Sequence, residues 1–148
     1  EHAEALKGKV IVDVSNPIAP DENGGFKKVI AAEASAGEIN ASHLPQGAHL
    51  AKALGTLMAG SLSADAFATP RKVLFYATDE VSINPVVEQL IKDAGFEPVR
   101  VGGLNQSIRI EVFGDLHEAG AVGKTVTLEE ARQLANYFYL CAIIILAN

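Results

Sequence analysis

Three short apolar runs, each bounded by turn-forming residues, constrain the fold more than any other feature of this 148-residue chain. The first, residues 9–14, is rich in β-branched side chains and is followed by Pro17, which cannot donate to a strand ladder. The other two runs are residues 72–77 and 96–101. Because near-continuous apolar strands are typical of sheets that are buried on both faces, these runs predict a parallel sheet.

A well-punctuated helix is predicted between the second and third runs. Asn84 is the predicted N-cap, Pro85 takes the first helical position, and Gly95 is the expected stop. A further strand is predicted over residues 48–54, with a short helix or structured loop over 57–67. This alternation of strands and helices predicts right-handed βαβ units in a doubly wound α/β sheet.

Ligands of doubly wound sheets bind beyond the carboxyl ends of the strands. The loops to consider are therefore residues 15–17, 55–59, 78–80 and 102–104. Asn16, in the first of these loops, either turns its amide toward a ligand or closes an ordinary Asx turn, and the residues alone leave both interpretations open. Lys52 is unusual within a central strand, where it either reaches the end of the sheet or contacts a bound anionic group.

The rest of the chain is predicted to be mainly helical. A weak, Ala-rich helix that is interrupted near Gly37 is expected over residues 26–44, and another helix over 108–119. Thr127 and Glu130 form a capping box at the start of a C-terminal helix. Residues 137–147 are all apolar, and this run is shorter than the roughly 20 residues that span a bilayer. It is therefore predicted to be buried, and we favour a homodimer contact.

The composition excludes several classes of protein. The chain has 12 basic and 18 acidic residues, a net charge of −6, and no cluster of Lys and Arg, so no nucleic-acid partner is expected. Cys141 is the only cysteine, which excludes an internal disulfide framework. No signal-peptide pattern opens the chain, and a cytoplasmic location is the expectation. The sequence starts at Glu1 rather than Met, which suggests a fragment or a processed product.

Familiar catalytic and metal-binding signatures are not found in the sequence. No two of the four histidines have the i, i+4 spacing of a helical metal site, and the fingerprint Gly-x-Gly-x-x-Gly does not occur. His117 lies in a polar cluster on the predicted helix, which favours a solvated helix face over a catalytic role. We therefore name no catalytic and no metal-ligating residue.

Four segments, taken in their order along the chain, resemble one known family. They are residues 12–17 (Val-Asp-Val-Ser-Asn-Pro), 52–56 (Lys-Ala-Leu-Gly-Thr), 73–79 (Val-Leu-Phe-Tyr-Ala-Thr-Asp) and 95–104, which opens with Gly-Phe-Glu-Pro-Val and closes with Gly-Gly-Leu. The order is similar to that of NADP oxidoreductases of the coenzyme F420-dependent type. These include F420:NADP reductases and the dinucleotide-binding domain of the STEAP metalloreductases. The resemblance covers roughly residues 8–130.

The resemblance implies a Rossmann-like parallel sheet followed by C-terminal helices. Residues 1–105 would be the second part of a dinucleotide-binding domain, and residues 106–148 a helical segment with an apolar tail. The Gly-rich first half of the family's fold would precede Glu1. The implied cofactor is NADP, with coenzyme F420 or a flavin as its redox partner.

The resemblance also implies which residues contact the cofactor. The five candidates are Asn16, Pro17, Thr56, Met58 and Ala59. The first two match the family's segment against the nicotinamide, and the other three match the place where nicotinamide meets the deazaflavin or flavin. Two positions depart from the family pattern: Gly55 stands where the family has asparagine, and Arg109 follows the Gly-x-Leu segment with one extra residue.

Two functions remain open from the sequence. One is part of an NADP-dependent oxidoreductase that transfers a hydride between NADP(H) and a deazaflavin or flavin, a reaction in which the cofactors supply the chemistry and the protein supplies geometry. The alternative is a catalytically silent, truncated Rossmann-like domain that self-associates through residues 137–147. A protein bound to a membrane surface is the least favoured class, because the apolar run has no polar helix face and no flanking basic residues.

Overall fold

A computed structural model of the chain describes residues 2–134. Its strands are β1 (Val10–Asp13), β2 (Ile18–Pro20), β3 (Phe26–Lys28), β4 (His49–Lys52), β5 (Val73–Ala77) and β6 (Glu97–Gly102). Its helices are α1 (Ala3–Leu6), α2 (Ala36–Ser42), α3 (Ala59–Ala64), α4 (Asn84–Asp93) and α5 (Ser107–Ile110), with short 3₁₀ turns over Val81–Ile83 and Leu104–Gln106. A further helical stretch occupies residues 128–134.

Four strands form the main sheet in the order β1-β4-β5-β6, and β2 and β3 form a separate antiparallel pair. β1 and β4 are parallel, with Val10 opposite His49, and β5 and β6 are parallel, with Val73 opposite Glu97. The mostly parallel sheet flanked by helices confirms the predicted Rossmann-like α/β class. One pairing differs from an all-parallel sheet, because β4 and β5 meet in the antiparallel sense, with Lys52 opposite Ala77.

The antiparallel junction separates the loops that follow the strands into two groups. β5 and β6 run against β1 and β4, so the loop after β5 returns toward the beginning of β4. Glu80 accordingly lies 3.9 Å from His49, the first residue of β4. The loops after β1 and β4 therefore share one edge of the sheet, and those after β5 and β6 share the other.

The core is built on both faces of β5, whose five residues are all buried. On one face, Leu74 and Tyr76 pack with Val87 and Ile91 of α4. On the other face, the alternate residues of β5 pack with the last residue of α5 and with side chains beyond it: the cluster comprises Val73, Phe75, Ala77, Ile110, Leu116, Val126 and Ala131. Residues from both sides of the predicted boundary at 105/106 thus join the core, and the division itself remains a prediction.

Two predicted helices are much shorter in the structure. Residues 26–44 contain β3 and then α2, whose N-cap is Ser35, with its hydroxyl accepting from the Glu38 amide. Within the predicted span 108–119, only residues 108–110 are α-helical, as the last three residues of α5. The helix ends at Ile110 because the next residue, Glu111, has an extended backbone with φ −82° and ψ 164°. The sequence pattern missed this break because the side chains around it retain helical spacing.

The predicted helix boundaries elsewhere agree closely with the structure. α4 begins at Asn84 itself, because the preceding 3₁₀ turn makes Ile83 the N-cap in place of Asn84. The capping box is confirmed: the Thr127 hydroxyl accepts from the Glu130 amide, and the Glu130 carboxylate accepts from the Thr127 amide at 2.7 Å.

The predicted homodimer contact over residues 137–147 lies outside the described residues. Within residues 2–134, none of the helices combines the length and the apolar character needed to cross a membrane.

Candidate functional site

The loops that follow β1 and β4 are joined by the side chain of Asn16. Its amide nitrogen donates to the carbonyl oxygen of Gly55 at 2.8 Å, and its amide oxygen accepts from the backbone N–H of Val112 at 2.9 Å. An Asx turn would have kept this side chain within its own loop, but here it connects three segments that lie far apart in sequence. The Asn16 amide thus holds the two loops of the predicted site in place relative to each other.

A buried ion network holds the same loop from beneath. The ammonium group of Lys52 is fully buried and lies 3.1 Å from an Asp13 carboxylate oxygen and 3.7 Å from Glu111. It also donates to the backbone carbonyl of Ser15. Lys52 therefore neither reaches solvent at the sheet's end nor needs an external anion, because this chain supplies its partners.

Asp13 is ionised within this network. Burial raises the pKa of its carboxyl group, but hydrogen bonds from Ser15 and Asn40 and the charge of Lys52 outweigh that effect and hold the pKa below its usual value. The Asn40 amide donates to Asp13 at 3.0 Å and to the Ser15 hydroxyl at 3.2 Å, which ties α2 to the loop. The loop after β1 is therefore fixed by charge as well as by hydrogen bonds.

Glu111 completes the network by holding the first turn of α2. Its two carboxylate oxygens accept from the backbone N–H groups of Ala36 and Gly37, at 3.1 and 2.9 Å. A Cβ atom on Gly37 would overlap the Ser107 hydroxyl, so this close approach of α2 to α5 requires glycine. Because Glu111 is also close to Lys52, one carboxylate links α2, β4 and the segment after α5.

The remaining predicted site residues occupy different environments. Pro17 is buried, and its carbonyl accepts from the Val29 amide at 2.9 Å. Thr56 is fully buried, and its hydroxyl donates to the carbonyl of Phe75 at 3.0 Å. Met58 and Ala59 are exposed at the start of α3. Thus Asn16, Pro17 and Thr56 shape the two loops, and Met58 and Ala59 present surface to solvent.

The start of α3 is held by Glu118, which the sequence analysis did not single out. Its carboxylate accepts from the backbone N–H of Met58 and from the Ser61 hydroxyl, the latter at 2.6 Å. A carboxylate at a helix N-terminus satisfies N–H groups that have no partner within the helix. The only sequence signal for this contact is the pair of acidic residues around His117, and its partner is 60 residues away.

The expected exposure of His117 is wrong, because this side chain is fully buried. Its Nδ1 atom accepts from the Ala119 amide at 2.9 Å, so the proton of the neutral ring resides on Nε2. Burial lowers the pKa of His117, and the nearby Glu118 raises it by less. The chain turns inward here because it is not helical after α5, which the polar sequence around His117 did not reveal.

The second loop contains an unusual backbone conformation next to the Asn16 contact. Leu54 has φ +63°, a region that costs a non-glycine residue about 1–2 kcal/mol. At Gly55, a Cβ atom would overlap the carbonyl oxygen of Val14. The asparagine that the resembling family has at this position therefore does not fit here, and glycine lets the two loops touch.

The large exposed side chains of this edge are apolar, and the exposed Ser15 hydroxyl lies in the loop after β1. Val14 is 57% exposed on the first loop, and Met58 is 40% exposed on the second. With the polar groups of Asn16, Thr56 and Lys52 turned inward to partners within the chain, the edge offers apolar side chains on rigid loops. Such a surface suits one end of a flat, uncharged ring. The described residues contain no glycine-rich fingerprint for a pyrophosphate.

Comparison with solved structures agrees with this fold. A hypothetical protein, SMa0349 from Sinorhizobium meliloti, is similar at 30% identity and TM-score 0.66, over 82% of this chain and 56% of its own. A candidate F420-dependent NADP reductase from Arthrobacter sp. FB24 is similar at 24% identity and TM-score 0.60, over 70% of this chain and 47% of its own. The chain thus spans about half the length of these two structures.

No protein-family model and no curated protein matches the sequence. The architecture and the two structural likenesses define a Rossmann-like α/β domain.

Proposed function

We propose that the chain forms the nicotinamide-facing part of an NADP(H)-dependent oxidoreductase whose redox partner is a deazaflavin or a flavin. The observation that carries the proposal is the Asn16 contact, which fixes the loops after β1 and β4 against each other at one edge of a Rossmann-like sheet. This is the edge at which such sheets bind nucleotides. The likeness to the Arthrobacter protein, a candidate F420-dependent NADP reductase, supports the same proposed function.

The residues at this edge fit the nicotinamide end of the cofactor. Val14 and Met58 would pack against the ring, and Ala59 leaves room beside it. Asn16 and Lys52 act as positioning residues, because their polar groups hold the loops and do not face solvent. NADPH, when bound, supplies the hydride; the chain's own task is to orient the ring and to exclude water from it.

Titration of the full chain with NADPH, followed by nicotinamide fluorescence, tests the proposal. We expect Asn16→Asp to weaken binding at least tenfold, because a carboxylate cannot donate to the Gly55 carbonyl and repels it. The matched control is Asn23→Asp, which introduces the same charge on an exposed loop. A folded native chain that does not bind NADPH would overturn the proposal, as would equal binding by the two variants.

Hydride transfer separates this function from the catalytically silent alternative. The native chain should oxidise NADPH in the presence of coenzyme F420 or FMN, and Asn16→Asp should be slower. Tight NADPH binding without reduction of either acceptor would favour the silent domain.

Self-association through residues 137–147 and a cytoplasmic location remain proposals from the sequence. Sedimentation velocity over a hundredfold range of protein concentration would detect the homodimer, and a single monomeric species throughout that range would contradict it.

A further inference from the structure

The turn between β2 and β3 contains the only Asn-Gly pair in the sequence, Asn23-Gly24. Glycine has no side chain to hinder an attack by its own backbone nitrogen, so that nitrogen can reach the side-chain carbonyl carbon of a preceding asparagine. Asn16 and Asn84, by contrast, precede proline, whose nitrogen has no hydrogen to lose. Asn23 is therefore the asparagine whose neighbour in the sequence most favours loss of its amide.

The structure leaves the side-chain amide of Asn23 without a partner. Asn23 and Gly24 are both exposed, and the amide forms no hydrogen bond within residues 2–134. The Gly24 N–H forms a long bond, 3.3 Å, to the carbonyl oxygen of Asp21. Gly24 has φ +81°, and nothing lies within 4 Å of the position that a Cβ atom would take. Rotation of the Asn23 side chain toward the Gly24 nitrogen thus costs no hydrogen bond of the amide.

The hairpin that carries this turn is a small element at the surface. β2 and β3 have three residues each, and among the described strands they pair only with each other. A two-stranded hairpin is marginally stable on its own in water. The turn is held by Asp21, whose carboxylate accepts from the N–H groups of Asn23 and Gly25, each at 2.8 Å. These bonds are exposed to solvent, so the turn can open locally at a low cost in free energy.

We propose that Asn23 is a site of spontaneous deamidation in the folded chain. The Gly24 nitrogen bonds to the side-chain carbonyl carbon of Asn23, the bond from that carbon to Nδ2 breaks, and the Gly24 proton leaves with Nδ2 as ammonia. Water then opens the resulting succinimide ring at either of its carbonyl groups, which gives aspartate or isoaspartate. The reaction needs no cofactor and no enzyme, and the inference does not depend on the proposed function.

Deamidation changes both the charge and the length of this turn. Either product adds a carboxylate to a segment that already contains Asp21 and Glu22. Isoaspartate also lengthens the main chain between β2 and β3, inside the turn that the Asp21 N–H closes by donating to the Gly25 carbonyl at 2.9 Å. Isoaspartate is a substrate of methyltransferases that recognise its carboxylate, and this supplies a readout that is independent of mass.

Incubation of the native chain at mildly alkaline pH, followed by digestion with trypsin, tests the inference. Cleavage after Lys9 and Lys27 releases residues 10–27, which contain both Asn16 and Asn23, so mass spectrometry compares the two positions in one peptide. We expect conversion of the amide to an acid at Asn23 and none at Asn16. An isoaspartate methyltransferase with labelled S-adenosylmethionine should label the incubated native chain, and Asn23→Gln should take up little label.

A substitution at Gly24 tests the attacking nitrogen. Gly24→Ala should slow the conversion of Asn23 about tenfold, because a Cβ atom hinders the approach of the nitrogen. Gly47→Ala is the matched control, since Gly47 also has a positive φ, +86°, and open space at its Cβ position, and it should leave the rate at Asn23 unchanged. Equal rates in the native chain and in Gly24→Ala would overturn the inference.

The chain unfolded in urea separates the effect of the fold from that of the sequence. The folded chain should lose the Asn23 amide at a rate within about threefold of the unfolded chain, because the turn opens readily. Asn40 should be converted in the unfolded chain but not in the folded chain, where its amide donates to Asp13 at 3.0 Å and to Ser15 at 3.2 Å. A folded chain that keeps the Asn23 amide while the unfolded chain loses it would overturn the inference, as would equal conversion of Asn23 and Asn40 in the folded chain.

Discussion

Single residues buried without a complete set of partners make this fold sensitive to pH. His117 is the main case, because its ring is fully buried, and its Nε2 atom has no hydrogen-bond partner within the described part of the chain. Burial holds its pKa below the ordinary value of 6.5, so the folded state keeps the ring neutral at a pH where the unfolded state binds a proton. As the pH falls below 6.5, protonation of His117 in the unfolded chain therefore lowers the stability of the folded state.

We expect the free energy of unfolding to fall as the pH is lowered from 7 toward 5.5. His117→Asn should remove this pH dependence, because the asparagine oxygen can accept from the Ala119 amide in place of Nδ1. Urea unfolding at several pH values measures the effect. His43→Asn, at an exposed histidine, is the control and should leave the slope unchanged. A wild-type slope that persists in His117→Asn would assign it to another group.

The close packing of α2 on α5 leads to a second prediction at the scale of the residue. Gly37→Ala places a methyl group where the Ser107 hydroxyl lies, and we expect a loss of about 1–3 kcal/mol in stability. Gly60→Ala is the matched control, because Gly60 is also helical and has open space around its Cβ position, so alanine should be neutral or stabilising there. Thermal unfolding compares the two, and an equal effect would contradict the packing argument.

At the scale of the element, one buried lysine connects β1, β4, α2 and the segment after α5. Lys52→Met leaves Asp13 and Glu111 buried without their cation, so we expect a loss of about 3–5 kcal/mol at pH 7. Lys9→Met, at an exposed lysine at the start of β1, should change stability by less than about 0.5 kcal/mol. Urea unfolding curves provide both values.

The Lys52 variant should also change the response to acid. The folded-state pKa of Asp13 is below 3.8, so its contribution is present above that pH and is lost as the pH falls through the folded-state pKa. In Lys52→Met the lowering by the lysine charge is absent, and Asp13 gains a proton at a higher pH. The stability difference between wild type and variant should therefore shrink below about pH 4. A difference that is constant from pH 3 to pH 7 would show that the lost packing, not charge, is responsible.

The four strands of the main sheet were accessible from the sequence, whereas the direction of β5 was not. Apolar runs located β1, β5 and β6, because a strand buried on both faces has apolar side chains along its length, and β4 lies within the further strand predicted over residues 48–54. A strand buried on both faces has the same pattern whichever way it runs. The link from β4 to β5, residues 53–72, contains α3 as its one helix, and nothing in its composition distinguishes a crossover from a reversal.

The candidate site shows the same division between local and distant information. The loops after β1 and β4 could be proposed from their positions after apolar strands. The partners of Asn16 and Lys52 could not, because Val112 and Glu111 lie 96 and 59 residues away, in a segment whose helical pattern concealed a turn. Buried polar networks depend on contacts that no single stretch of sequence specifies.

At the scale of the whole molecule, the reversal between β4 and β5 predicts that the two edges of the sheet differ in function. At the far edge the Asp79 carboxylate accepts from the Leu104 amide at 2.8 Å, and the Thr78 amide donates to Gly102 at 3.1 Å, which ties the loops after β5 and β6 together. In an all-parallel sheet these loops would adjoin Asn16 and would take part in nucleotide binding. In this sheet they lie near the start of β4.

Asp79→Ala should therefore lower stability by about 1 kcal/mol, through loss of one hydrogen bond, without affecting NADPH binding. Asn16→Asp should cause a comparable loss of stability but a large loss of NADPH affinity. Both variants are compared at a temperature where each is more than 95% folded by circular dichroism. Equal losses of NADPH affinity in the two variants would mean that the ligand reaches both edges of the sheet. The antiparallel junction at Lys52 and Ala77 does not allow this for a nicotinamide held by the loops after β1 and β4, so that outcome would contradict the prediction.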